Sequence, residues 1–327
     1  TADAVLRAVA DAAGRRGLPS PAALTGDWFG ATAVIAPSVL LQPVDPGEAF
    51  DVQPGGRSDA IGGGWVGYLS YPDPAADGAP PRIPEAAGGW TDCVLRLDRT
   101  GCWWYESLSG ARIPTWLTSA LSSKPPHRSC EIDWAEPDYT QHQSGVLSCL
   151  DAIGAGEVYQ ACVCTQYTGT VSGTALDFFA DAVARIAPAR AAYLSGEWGA
   201  VALLSPELFL RRFGDEVTSS PIKGTLPLHA APAALRASVK DVAENIMIVD
   251  LVRNDLGRIA EVGTVTVPEL LAVHPAPGVW HLVSTVAARV PATVPTSAVL
   301  AASVPPASVT GTPKLRARQL LSVWEPR

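Results

Sequence analysis

The sequence predicts an α+β fold, and three observations carry that prediction. Strand-like pieces fill residues 1–125, separated by loops rich in proline and glycine. Helical periodicity is clear only later, at 139–155 and again within 240–258. Runs of β-branched and aromatic residues recur between and after these helices. In order, 32–36, 65–70 and 93–97 read as strands, the last leading into the aromatic 101–105. The long loop 72–87 interrupts them, and 122–128 (Ser-Ser-Lys-Pro-Pro-His-Arg) reads as a boundary. It divides a β-rich part, 1–125, from a second part, 135–327. The second part opens with a helix over 139–155, whose apolar stripe is Val146, Leu147, Leu150 and Ile153. A strand over 158–167 follows. Strands are further expected at 205–210, into Ser220, and after His281, and a helix over 314–321 with Pro313 in its first turn.

Composition excludes several classes of function. The chain has 327 residues, 47% apolar and 17% charged, enough for one large core or two moderate ones. Its net charge is −8 with no basic cluster, which argues against a nucleic-acid surface. No apolar run approaches the roughly 20 residues of a membrane helix, and no secretory signal is visible. The six cysteines show no Cys-x-x-Cys spacing, so free thiols in the cytoplasm are expected. Cys162 and Cys164 alternate on the expected strand and read as small core residues rather than zinc ligands.

The most chemically pointed stretch is Ser220-Pro221-Ile222-Lys223-Gly224-Thr225. Pro221 and Gly224 predict a turn that leaves Lys223 at a bend, beside a backbone that a ligand can approach closely. An apolar pocket there would desolvate the ammonium and favour the free amine, a nucleophile. The competing reading is a surface lysine in a turn. Glu207, near the start of the strand 205–210, is either a general acid/base or a strand-end partner in a surface ion pair. Its leucine, phenylalanine and proline neighbours would favour the protonated carboxyl. Asp241 and Glu244 are three apart where Val242, Ile246, Met247, Val249 and Leu251 repeat at helical spacing. Both carboxylates then share a face, which suits Mg²⁺ or a solvated acidic surface.

These blocks, with 279–285 and 308–317, closely resemble the chorismate-utilising enzymes, from about Tyr139 to the last residue and more weakly at 62–71. The resemblance implies two large antiparallel sheets packed as a sandwich with helices outside. It also implies that Lys223 separates subtypes. Pro-Ile-Lys-Gly-Thr marks the aminodeoxychorismate synthase branch, whereas most members, anthranilate synthase included, carry alanine at that position. The lysine would attack C2 of chorismate as the C4 hydroxyl leaves. Ammonia would then add at C4 and expel the lysine. By the same resemblance Glu207 is the acid/base, and His281 lies beside the leaving group or is a core histidine. Thr225 and Gly224 contact substrate. Gly311 does so too, or only shapes the turn before the helix of Lys314. Glu244 binds Mg²⁺, with Asp241 behind it.

Gln160 stands where water-using relatives place a basic lysine, which disfavours attack by water at C2. The implied partners are chorismate and a glutamine amidotransferase subunit that delivers ammonia. Tryptophan is a further candidate for a pocket near 62–71. The rival assignments are anthranilate synthase component I and a non-catalytic fragment. Relatives ordinarily continue for a further stretch past 324–326, so the chain is expected to lack a C-terminal portion of the family. Leu226, Ala307 and Thr312 depart from the family's arginine, glycine and alanine.

Overall fold

The computed structural model describes residues 1–52, 60–71, 83–123 and 128–325. Two large antiparallel sheets organise them, as the α+β reading expects. The first is six-stranded, in the order Gly199–Ser205, Arg190–Gly196, Ala22–Trp28, Ala31–Ala36, Cys93–Leu97, Trp103–Ser107. Its core gathers Ile35, Leu95, Ala191 and Tyr193 with Leu6 and Val9 of the helix Ala2–Gly14 and Phe179 of the helix Ala175–Ile186. This sheet joins strands from both sides of the boundary expected at 122–128, of which residues 124–127 lie outside the described set. Residues 72–82 of the expected loop 72–87 also lie outside it.

The second sheet is built around the strand Val279–Arg289. On one side it pairs with Thr266–Ala276; on the other it pairs with Glu216–Ser220 and Ile222–Pro227 in succession. Leu208–Phe213 forms the edge beyond Glu216–Ser220. Alternation along Val279–Arg289 is clean: Leu282, Ser284, Val286 and Ala288 are buried, while their neighbours between them are half-buried. The helix Val239–Gly257 lies on this sheet and contributes Ile248, Val249, Val252 and Leu256 to a second core with Val217, Val286 and Val290. Ser238 caps it, its Oγ accepting the Asp241 N–H at 3.2 Å.

Three local expectations change. The helix Tyr139–Gly154 forms, but Leu147, Leu150 and Ile153 are exposed and the buried positions are Gly145 and Cys149. Gly145 decides this: a Cβ there would come within 2.9 Å of the Trp324 carbonyl, so the helix packs closely through its glycine face against the helix Lys314–Trp324. Helix Val239–Gly257 likewise turns Asn245 inward and leaves Ile246 exposed. The strand expected over 158–167 shrinks to Gln160–Ala161, because its partner Gly311–Thr312 is only that long. Thr168–Ser172 then pairs with Glu131–Ala135 in a separate two-stranded sheet.

Candidate active site

Lys223 owes its position to a β-bulge. From Ser219↔Val286 to Ile222↔Val283 the register is constant, and it has slipped by one residue at Thr225↔His281. Lys223 and Gly224 therefore share the place opposite Leu282. The turn expected at Pro221 does not form: the Pro221 carbonyl accepts the Ser284 N–H at 3.2 Å and the strand runs on. Gly224 absorbs the irregularity at φ +104°, where a side chain would be strained. Any Cβ there would also meet the Asp241 Cβ at 3.0 Å and the Leu282 Cβ at 3.2 Å. Bulge and helix are thus seated against each other through glycine. Asn245, buried in that helix, ties the same place down, donating to the Leu282 carbonyl at 3.0 Å and the Lys223 carbonyl at 3.4 Å.

Glu207 lies at the crossing between the two sheets, after Ser205 ends one strand and before Leu208 begins the next. Apolar residues, among them Phe209, Leu210, Pro221 and Leu256, line the cavity beside it, and both carboxylate oxygens find donors. Oε2 accepts the Ile222 N–H at 3.2 Å, and Oε1 accepts the Ser308 hydroxyl at 2.5 Å. The Lys223 Nζ, half-buried, donates to the Ser308 carbonyl at 2.7 Å. One residue therefore holds both groups, the carboxylate by its side chain and the ammonium by its backbone. A cavity of about 10 Å³ lies beside Glu207 and Ser308, room for a single water.

The segment bearing Ser308 is itself anchored. Lys314 donates to Asp255 Oδ2 at 2.5 Å and to the Ser303 carbonyl at 3.1 Å, a nearly buried ion pair. Burial raises the Asp255 carboxyl, and the hydrogen bond and charge of Lys314 oppose that rise. Gly311, at φ +144°, lets the segment lie against Gln160–Ala161; a Cβ would stand 2.4 Å from the Gln160 carbonyl. Tyr71, at the end of the 62–71 block, donates to Thr310 Oγ1 at 3.3 Å. The first part of the chain thus reaches the same segment.

His281 and Thr225 share a face of the sheet, with Nδ1 and Oγ1 hydrogen-bonded at 2.9 Å. Burial lowers the imidazole from its ordinary value, so the ring is neutral at neutral pH. Glu244 is engaged only loosely, by an i,i+4 pair with Lys240 at 3.5 Å, where the Lys240 side chain is 78% exposed. Among the described residues no group of three or more His, Cys, Asp or Glu side chains could hold a metal alone. The chemistry of the donors nonetheless suits Mg²⁺: one carboxylate on the first turns of a helix and a second behind the bulge glycine. Water and a substrate carboxylate would complete that shell.

Sequence reasoning missed Ser308, which it quoted only as part of a block, and Cys162. The Cys162 thiol lies within electrostatic reach of Lys223 and Glu207. Two signals were available: a hydroxyl residue three places before Gly311, and a cysteine just past the strand Gln160–Ala161 that pairs with Gly311–Thr312.

The family described as chorismate binding enzymes matches residues 41–327. Aminodeoxychorismate synthase component 1 of Escherichia coli K12 is 38% identical over 258 residues, 75% of this chain and 56% of that protein. An aminodeoxychorismate synthase of Streptomyces pristinaespiralis is 35% identical over 296 residues, 80% of this chain and 41% of its own length. This chain spans about half the length of such relatives. Anthranilate synthase component I from Streptococcus pneumoniae TIGR4 shares the fold, with TM-score 0.71 at 21% identity, covering 94% of this chain and 76% of that one. The bulged lysine, the glutamate at the sheet crossing and the serine between them therefore stand on a known scaffold, and the chain belongs to the chorismate-binding enzyme family.

Proposed function

We propose that this protein aminates chorismate at C4, giving 4-amino-4-deoxychorismate through a covalent bond to Lys223. The observation that carries this reading is the joint hold of Ser308 on the Lys223 ammonium and the Glu207 carboxylate, at 2.7 and 2.5 Å. An amine and a carboxyl group fixed against one residue are what two coupled allylic displacements require. Lys223, as the free amine, forms a bond to C2 while both ring double bonds shift along the ring and the C4–O bond breaks. Glu207 gives a proton to the departing oxygen, which leaves as water. Ammonia then bonds to C4, the C2–N bond to Lys223 breaks, and Glu207 takes up a proton from the incoming nitrogen. The sum is chorismate plus ammonia giving product plus water.

Glu244, with Asp241 behind it, would hold Mg²⁺, which when bound supplies positive charge for the substrate's ring carboxylate. The amine at position 223 distinguishes this reading from anthranilate synthesis. The names of the relatives, component 1, support a second component as partner, and a glutamine amidotransferase supplying ammonia fits that role. Among the described residues no helix is long and apolar enough to cross a membrane, in keeping with work in the cytoplasm on small metabolites. The test is incubation with chorismate, Mg²⁺ and ammonium at alkaline pH, followed by product analysis. Formation of 4-amino-4-deoxychorismate is expected; anthranilate, or no product, overturns the reading. Glutamine should replace ammonium only when the amidotransferase partner is added.

A further inference from the structure

Cys162 and Cys164 are not the core residues their alternation predicts: Cys162 is half-buried and Cys164 exposed. Both are pinned through the backbone. The Cys162 N–H donates to the Thr310 carbonyl at 3.0 Å, and the Cys164 N–H donates to the Glu325 carboxylate. Their sulfurs stand 3.9 Å apart, and the Cys164 thiol also donates to the Cys162 carbonyl at 3.6 Å. A disulfide would bring that separation to roughly 2 Å.

The Cys162 sulfur differs from the thiols of Cys93, Cys130 and Cys149 in its electrostatic setting. The hydrogen bond from Cys164 lowers the Cys162 thiol to about 6, with further help from the Lys223 charge and against burial and the charges of Glu325 and Glu207. Burial pushes Cys93, Cys130 and Cys149 the other way. Thiolate character and access together decide which cysteine an oxidant attacks.

We propose that Cys162 and Cys164 form a two-cysteine oxidation site near Lys223, with Cys162 the sulfur oxidised first by a peroxide and Cys164 the resolving thiol. The Cys162 thiolate attacks one peroxide oxygen, and the O–O bond breaks. A sulfenic acid forms, and the departing hydroxide takes a proton to become water. The Cys164 sulfur then attacks the Cys162 sulfur, and the S–O bond breaks. The second hydroxide leaves with the Cys164 proton as water. Two thiols are oxidised by two electrons, and one peroxide is reduced to two waters. The disulfide removes the anionic sulfur near Lys223, and a thiol reductant restores it.

The experiment is a hydrogen peroxide titration of the purified protein, with remaining thiols alkylated and the cysteines mapped by mass spectrometry. Cys102 is exposed and serves as internal control. The expected result is an internal Cys162–Cys164 disulfide at peroxide concentrations that leave Cys102 reduced, reversed by dithiothreitol. Cys164→Ser should stop at a Cys162 sulfenic acid trapped by dimedone, and Lys223→Gln should slow that trapping several-fold. Oxidation of Cys162 no faster than Cys102, a sulfenic acid that appears first on Cys164, or an unchanged rate in Lys223→Gln overturns the proposal. Disulfide mapping does not depend on amination, so the oxidation site and the proposed function fail or stand separately.

Discussion

The Lys223–Glu207–Ser308 cluster and the Asp241–Glu244 pair lie on facing elements, yet they are held very differently. In the first, every polar end is engaged: Lys223 by the Ser308 carbonyl, Glu207 by the Ser308 hydroxyl and the Ile222 N–H. Among the described residues, Glu244 in the second meets only an exposed lysine, at 3.5 Å. The difference separates two kinds of preorganisation. On the proposed mechanism the groups that make and break bonds are fixed before substrate arrives, by contacts from within the chain. On the same reading the proposed Mg²⁺ site stays open on the protein side, because its remaining ligands would be water and substrate.

The sharpest way to break this contrast is at its chemical centre. Lys223→Ala should reduce C4 amination by about 10³-fold or more, measured as initial rate with ammonium, because the covalent route is lost. A wild-type rate in that variant would move the chemistry away from the bulge. Ser308→Ala comes next. It keeps the carbonyl that accepts Lys223 but removes the hydroxyl on Glu207, so kcat should fall about 10- to 100-fold with little change in KM. Equal loss through KM would make Ser308 a substrate contact rather than a positioning residue.

On the open side, Glu244→Gln should raise the Mg²⁺ concentration for half-maximal activity about 10- to 100-fold while saturating Mg²⁺ recovers much of the rate. A loss that Mg²⁺ cannot recover would place Glu244 with the fixed cluster instead. The smallest effect concerns Thr312, where the family's usual alanine is replaced and the buried hydroxyl lacks a hydrogen-bond partner among the described residues. Thr312→Val, which keeps the β-branched shape and removes the orphaned hydroxyl, should stabilise the fold by about 1 kcal/mol in urea unfolding.

Much of the site was legible because its chemistry sits in short contiguous runs. Lys223 with Gly224, Glu207 after Ser205-Pro206, and Asp241 with Glu244 each carry their spacing in the local chain. Ser308 was not legible in that way, since it meets Lys223 across 85 positions and Glu207 across 101. Helix faces were misread for a related reason. A stripe of Leu147, Leu150 and Ile153 looks inward by hydrophobicity, but Gly145 permits an approach that no larger residue would, and the glycine face won.

Residue order alone determined that strands and helices would mix irregularly, that Lys223 would stand beside a glycine, and that two carboxylates would share one helical face. Those outcomes follow from φ,ψ preferences and from the periods 2 and 3.6, which act over a few neighbours. Only tertiary packing decided that the lysine would ride on a bulge rather than a turn, that one serine would grip both reactive groups, and that two cysteines would come to rest near them. Such placements depend on which strand supplies the facing hydrogen bonds, and that partner lies dozens of residues away along the chain.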